Sequence, residues 1–420
     1  MSAISMAACE LFCAPGATES AGIGFKASVL SLCSADSALV ASKHEVVKHS
    51  WTLPESSTSA ESAGTLSCPA ELHGLLTEPV VTLPKSFVAT EIVHTHGIVP
   101  GAFAVASACG KVWLGAPGST AATHELGHAS VADASAGPSD TLLSPAAGGV
   151  FAAAHSGSKR ACLLSLPSAG SLALQQPFAT ALPNTATCVA AIHAPSMANA
   201  PILAAGHAQA GCIWDSRAPG ATQQRAHAAA AAAISPTSGQ LVHMRWCGEW
   251  GVTGGLVTMS TTGIVELWEP RTWRVAEQWR APAKYSTRRL AVSDDAKYVW
   301  SAGTDNDILG GQLALGELGV PTSQGSWKVS RGGAGVGREV NKGGYTGPEA
   351  GVDNTPDRIK EGRRKGFHGG ARWVGMDATL GGAAAAAAAS AAAGQHSEFT
   401  LAALTEKGQL YIVRNAQLMG

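Results

Sequence analysis

Short apolar stretches recur along the chain, each followed by a turn containing Gly, Ser or Asp and then by a second short stretch, the pattern of a β-hairpin. The pairs are residues 102–106 with 112–114, 150–154 with 161–166, 201–205 with 212–215, 255–260 with 264–268, 298–302 with 308–313 and 399–404 with 409–413. A weaker instance is 38–42 with 45–49. Hairpins at intervals of about 40 to 60 residues match the period of radially repeated four-stranded sheets. One such sheet cannot cover both of its own faces. Closing six or seven of them into a ring covers every face and leaves only short, protected edges.

Composition supports a packed protein. Of the 420 residues, 45% are hydrophobic and 14% charged, which excludes a chain disordered throughout. Alanine supplies much of the apolar share; because it buries little surface and is a poor strand former, part of that share reads as filler. With 29 Lys+Arg against 30 Asp+Glu, no bulk attraction to nucleic acid or an anionic membrane is expected. The nine cysteines, Cys9, Cys13, Cys33, Cys68, Cys109, Cys162, Cys188, Cys212 and Cys247, stand singly without C-x-x-C spacing, the mark of reduced thiols in an intracellular protein. No apolar run approaches the roughly 20 residues of a bilayer span, and residues 1–22 lack a secretory or transit pattern. A cytoplasmic or nuclear location without membrane insertion is the expectation.

The third hairpin carries a family resemblance. Residues 202–217, ending in Trp214-Asp215 and Arg217, resemble the second and third strands of a WD40 repeat. Residues 256–271, with Trp268-Glu269 in place of Trp-Asp, resemble the same unit. Gly127-His128 with Ala129 to Val131 and Pro138-Ser139-Asp140 is similar to the Gly-His dipeptide, first strand and turn that lead into a hairpin, here the one at Val150. Ser293-Asp294-Asp295 resembles another such turn. The resemblance covers about two-thirds of the chain. It implies an all-β WD40-type propeller over residues 23–420, with seven blades and six the alternative count. It further implies that Trp214 and Trp268 pack between blades, while Asp215 and His128 join polar turn networks.

Three segments fall outside the repeats. Residues 1–22 are expected to be disordered, residues 324–370 to form a flexible Gly-rich insertion, and the polyalanine stretch 381–395 to form a loop splitting the last blade. The alanines at 226–233 suit a short helix or an extended loop between blades.

The sharpest competing motif is His124-Glu125-Leu126-Gly127-His128. On a helix, H-E-x-x-H puts two imidazoles on one face to hold zinc, with the Glu placed to activate a bound water. It resembles the zincin metallopeptidase motif, which makes a zinc peptidase using His124, Glu125 and His128 the main alternative. Against it, Ala134 stands where a third metzincin histidine belongs, and the Pro- and Gly-rich flanks leave room for little helix. No P-loop and no G-x-S-x-G elbow accompany it.

The basic group Arg358, Lys360, Arg363, Arg364, Lys365 and Arg372 is interleaved with Glu349, Asp353, Asp357 and Glu361. A solvated loop is its plain reading, and an RNA- or chromatin-associated adaptor a third alternative. Tryptophans crowd the stretch from Trp246 to Trp300, and blade packing accounts for most of them. Arg271, Trp273, Arg274, Arg288 and Arg289 are the candidate partner contacts, because Arg and Trp dominate interface hot spots. The expected function is a non-enzymatic scaffold within a multiprotein complex. It needs no cofactor and no small-molecule substrate, and nucleic acid is the less favoured partner.

Overall fold

The computed structural model describes residues 10–14, 29–42, 45–53, 70–72, 74–95, 102–115, 128–132, 135–145, 149–165, 174–193, 201–207, 210–216, 232–251, 253–280, 286–293, 295–304, 306–313, 366–368, 371–380 and 399–416. They form seven small sheets, antiparallel but for one short parallel pairing, and no α-helix, hence no helix able to cross a membrane. From the axis outward, the first blade is Leu30–Ser34, Ser37–Ala41, Glu45–Ser50 and Leu76–Thr82. The second is Ala89–His94, Phe103–Ser107, Lys111–Gly115 and His128–Ser130. The third blade is Thr141–Leu143, Val150–His155, Arg160–Ser165 and Gln175–Ala181, and the fourth Ala186–Ile192, Ile202–His207, Ala210–Asp215 and Ala232–Ile234. Leu241–Cys247, Gly255–Ser260, Ile264–Glu269 and Arg274–Arg280 make the fifth, and Thr287–Val292, Tyr298–Gly303, Asp307–Gln312 and Gly366–His368 the sixth. The seventh is Trp373–Leu380, Phe399–Thr405, Leu410–Arg414 and, from the other end of the chain, Glu10–Ala14. Each innermost strand packs against the innermost strands of its neighbours around the full circle, so the seven sheets close into a seven-bladed propeller.

Every one of the seven sequence hairpins is the second and third strand of one blade. These strands read as unbroken apolar runs because neighbouring blades cover both of their faces. Ser37–Ala41, Phe103–Ser107, Ile202–His207, Gly255–Ser260 and Phe399–Thr405 are buried at every position. The outermost strands are more exposed, as in Leu76–Thr82 and Gln175–Ala181, and carry the prolines that an edge tolerates.

The buried residues divide into seven clusters, one in each seam between adjacent blades. Ala152, Ala153, Ala154, Ala161, Ala190, Ala204 and Ala205 are all fully buried in these seams. These alanines thus belong to the core and not to the part of the alanine content read as filler. Sheets converge toward the axis, and small side chains let their inner strands approach. Glycine extends the same logic: a Cβ on Gly311 of the sixth blade would overlap the Trp279 indole, which fills the seam with the fifth.

Residues 10–14, placed in a disordered segment by their sequence, instead close the ring. Glu10–Ala14 pairs antiparallel with Leu410–Arg414, in the register Glu10↔Arg414, Phe12↔Ile412 and Ala14↔Leu410. Leu11 packs into the seam between blades six and seven, and Phe12 and Ala14 into the seam between seven and one. At the strand end, Arg414 donates to Glu10 at 2.8 Å and lies 5.7 Å from the Phe12 ring centroid. Ala70–Glu71, on the way to the last strand of blade one, pairs parallel with Phe12–Cys13 and adds a fifth strand. The sequence also missed that Gly366–His368, inside the expected 324–370 insertion, is the outer strand of blade six. Ala232 and Ala233 likewise belong to a strand rather than a helix or loop. The rest of 324–370 and the 381–395 stretch lie outside the described residues.

Candidate functional site

Two places gather polar, aromatic or strained residues: the axis of the ring and one end of the fifth blade. At the axis each innermost strand turns one row of amides away from its own blade, which would leave an open sheet edge. Side chains of the preceding blade cap these amides in succession. Asp377 Oδ2 of blade seven accepts from Leu32 N of blade one at 2.9 Å, and Ser31 Oγ of blade one accepts from His94 N of blade two at 2.9 Å. Glu91 Oε2 of blade two then accepts from Leu143 N of blade three, and Ser144 Oγ of blade three from Ala191 N of blade four at 3.2 Å. Thr90 Oγ1 returns a bond to Thr141 O at 3.0 Å.

A one-residue register skip near the start of five innermost strands, at Thr90, Thr187, Val242, Arg288 and Val374, re-aims the residues that follow. Among those residues are Glu91, His243 and Arg289. Asp377 is the hub of this arrangement: its Oδ1 accepts from Arg245 Nη1 of blade five at 3.1 Å and from Ala378 N at 2.9 Å, while Oδ2 also takes a bond from Ser31 Oγ at 3.3 Å. Removing it leaves Leu32 N without its acceptor and takes a bond from Ser31 and from Arg245 on blade five. Asp377→Ala is expected to cost about 2–3 kcal/mol in urea unfolding, and Asp377→Asn, which keeps an acceptor, about half that. Equal stability of Asp377→Ala and the parent would refute the hub.

His243 and Arg289 occupy the basic side of the axis. Burial, reinforced by the nearby Arg289 and Arg245 guanidiniums, pushes the His243 pKa down to about 3. The unfolded chain takes up that proton near its ordinary pKa of 6.5. Stability supported by the neutral ring is therefore intact above pH 6.5 and falls as the pH drops from there toward 3. The loss amounts to about 2 kcal/mol by about pH 5, and His243→Gln flattens that slope. A pH series of unfolding midpoints in both proteins checks it; parallel curves would contradict it.

The axis corrects one sequence expectation. Arg289 is only 5% exposed, so it serves the ring's interior and not a partner. Arg288 sits in the register skip beside it. Arg271 and Trp273 lie elsewhere, on the turn joining the third and fourth strands of blade five, and Arg274 opens the fourth strand, at the opposite end of the strands from Arg288. The five residues do not form one patch.

Trp214 and Trp268 are buried in the seams between blades three and four and between four and five. Trp268 Nε1 donates to Thr258 Oγ1 at 2.9 Å, fixing the indole against its own sheet. Asp215 closes the strand after Trp214 and is half-buried. In the same blade-five sheet, Glu266 is buried and its Oε1 accepts from Thr237 N, Thr237 Oγ1 and Gln278 Nε2. His128 opens the outermost strand of blade two, opposite Trp113. The innermost strand before the Val150 hairpin is Thr141–Leu143, which corrects the expectation that Ala129 to Val131 supplies it. At His128 the backbone is a strand and not the helix that a zinc-holding H-E-x-x-H requires; His124 and Glu125 lie outside the described residues.

The axial caps went unrecognised in the sequence, although Glu91 and Asp377 are each the one carboxylate of a mostly apolar strand, which is the available signal. Burial also pushes the Cys33 thiol up to about 11 and Cys162 up to about 12, so both stay protonated at neutral pH.

No protein-family model matches the chain, and no curated protein matches it by sequence. Similar architectures are found among solved structures. A chain in the crystal structure of the mitotic checkpoint complex aligns over 96% of this chain and 90% of its own length, at a TM-score of 0.56 and 13% identity. The WD40 β-propeller domain of Doa1 aligns over 92% of each, at a TM-score of 0.53 and 8% identity. The chain thus has the seven-bladed WD40-type β-propeller fold.

Proposed function

We propose that the protein is a non-enzymatic scaffold that presents its turns and blade seams to other proteins of a multisubunit complex, in the cytoplasm or nucleus. The carrying observation is the ring itself. Seven apolar seams and a capped axis make a rigid platform whose faces are built from turns, the part of a fold best placed to contact partners. The half-buried charges at the axis serve this platform: Asp377 ties blades five, seven and one, and Arg245 takes part in the same tie. The likeness to a chain from the mitotic checkpoint complex supports protein partners as a class. Fold alone does not select which ones.

Affinity purification of the intact protein under mild conditions, with metal content measured on the same material, tests this reading. Stoichiometric protein partners without bound zinc are expected. A lone 42.5 kDa chain carrying stoichiometric zinc that is lost in His124→Ala would overturn it in favour of the peptidase.

A further inference from the structure

The closing strand of blade seven is held on both of its edges, and the second hold comes from blade one. Among the described residues, six sheets end at a fourth strand, whereas blade seven continues through Glu10–Ala14 to Ala70–Glu71. That last piece belongs to the connection between the third and fourth strands of blade one, which crosses to the neighbouring blade and returns. Ala70 lies opposite Phe12 and Glu71 opposite Cys13 in parallel register, and Leu72 N donates to Cys13 O at 2.8 Å. Residues 70–72 thus form a strap laid over the middle of the closing strand. Ala70 and Glu71 are exposed, and Leu72 is buried.

The strap is anchored in the seam that it crosses. Trp51 and Leu53, where the connection leaves blade one, and Leu72 and Leu75, where it comes back, all pack into the seam between blades seven and one. Phe12 and Ala14 of the closing strand occupy the same seam. Trp51 Nε1 donates to Ala35 O at 3.2 Å, which fixes the departing end to the turn between the first two strands of blade one. Without the strap, Glu10–Ala14 would present the free edge of a largely apolar strand, which proteins cover or blunt. The two edges differ in strength. Toward Leu410–Arg414 the closing strand has a five-residue ladder and the Glu10–Arg414 ion pair. Toward the strap it has two paired residues and the Leu72 amide. Segments of a protein open separately, and those with the fewest buried contacts and paired amides open most often. The strap can lift while the ladder stays intact, but the closing strand cannot leave while the strap is bonded along Phe12–Cys13.

We infer that residues 70–72 are the gate of the ring: the closing strand is released only from molecules whose strap has already lifted, so blade one controls the closure of blade seven. Loosening the strap raises the population with a free closing strand by the same factor as it raises the population with a lifted strap. Loosening the closing strand from its other side, at Leu11 in the seam between blades six and seven, leaves the strap's own opening unchanged. That asymmetry separates a gate from ordinary packing, in which either change loosens both segments. The gate is a property of the ring and stands whether the protein acts as a scaffold or not.

Amide hydrogen exchange on the full chain, in the parent and three variants, tests the order of opening. Leu72→Ala removes the anchor, and Leu72→Pro removes the amide bonded to Cys13 O. Neither touches the ladder between Glu10–Ala14 and Leu410–Arg414. In both variants the amides of residues 11–14 and 410–414 are expected to exchange about tenfold faster or more, while the second and third strands of blades two to five keep the parent's rates. In Leu11→Ala the closing strand is expected to accelerate while Leu72 N exchanges as in the parent. Unchanged exchange of the closing strand in both Leu72 variants would overturn the gate, and so would faster exchange of Leu72 N in Leu11→Ala. Acceleration spread evenly over all seven blades in Leu72→Ala would overturn it as well, by reducing Leu72 to an ordinary core residue.

Discussion

Replacing Trp300 by alanine is expected to lower the unfolding free energy by about 3–5 kcal/mol, the cost of emptying a large aromatic site in a close-packed interior. Trp300 is 1% exposed, in the seam between blades six and seven. Its ring sits 5.9 Å from that of Phe399 on the neighbouring blade and 6.4 Å from that of Tyr298 on its own. Its Nε1 donates to Ala416 O at 3.0 Å, just beyond Leu410–Arg414, the third strand of blade seven. One side chain thus supplies apolar contact across a seam and a hydrogen bond to the chain segment that follows the closing strand pair. Trp300→Phe keeps much of the volume and loses the bond, so a loss of roughly 1–2 kcal/mol is expected. Chemical denaturation of the three proteins checks the order; a Trp300→Ala protein as stable as the parent would mean that this seam does not hold the ring.

Deleting residues 1–14 is expected to have a larger effect still. It uncovers the edge of Leu410–Arg414, leaves Arg414 without Glu10, and removes Leu11 and Phe12 from two different seams. Each of those two side chains contributes about 1.5–3 kcal/mol of burial, so the total rivals the whole stability of a typical domain. An open, apolar strand edge also invites pairing with other chains. The shortened protein should be found in aggregates or melt at much lower temperature, and a synthetic peptide of residues 1–22 added in trans should recover part of the loss. A shortened protein with the parent's melting temperature would show that the ring closes without this strand.

The sequence was most legible where the fold is most uniform. The second and third strands of each blade are covered on both faces, so they appear as apolar runs around a turn, and all seven hairpins stood out for that reason. Innermost strands were harder to read. Thr141–Leu143 has only three residues, and Ser31, Glu91 and Asp377 interrupt the apolar pattern because they cap the neighbouring blade's free amides. The closing strand was hidden by distance, since Glu10 pairs with Arg414 and no local window contains both. Trp214 and Trp268 lie in the seams between blades three and four and between four and five. Arg289 did not become a partner contact: charge visible in a sequence carries no record of burial, and here the residue turns inward after a register skip. The end of blade five was legible in part. The Arg271, Trp273 and Arg274 grouping was visible, whereas the strained Trp273 backbone and its alignment with Trp246 along one seam emerge only in three dimensions.

The account depends most on a ring that is closed at its axis, and amide hydrogen exchange on the full chain tests that directly. The amides of Leu32, His94, Leu143 and Ala191 point away from their own sheets, and in an open assembly of blades they would face water. Bonded to Asp377, Ser31, Glu91 and Ser144 of the preceding blades, they are predicted to exchange as slowly as amides inside the sheets. Exchange of these four amides at the rate of surface turns, with the second and third strands still protected, would contradict the closed ring and the platform built upon it.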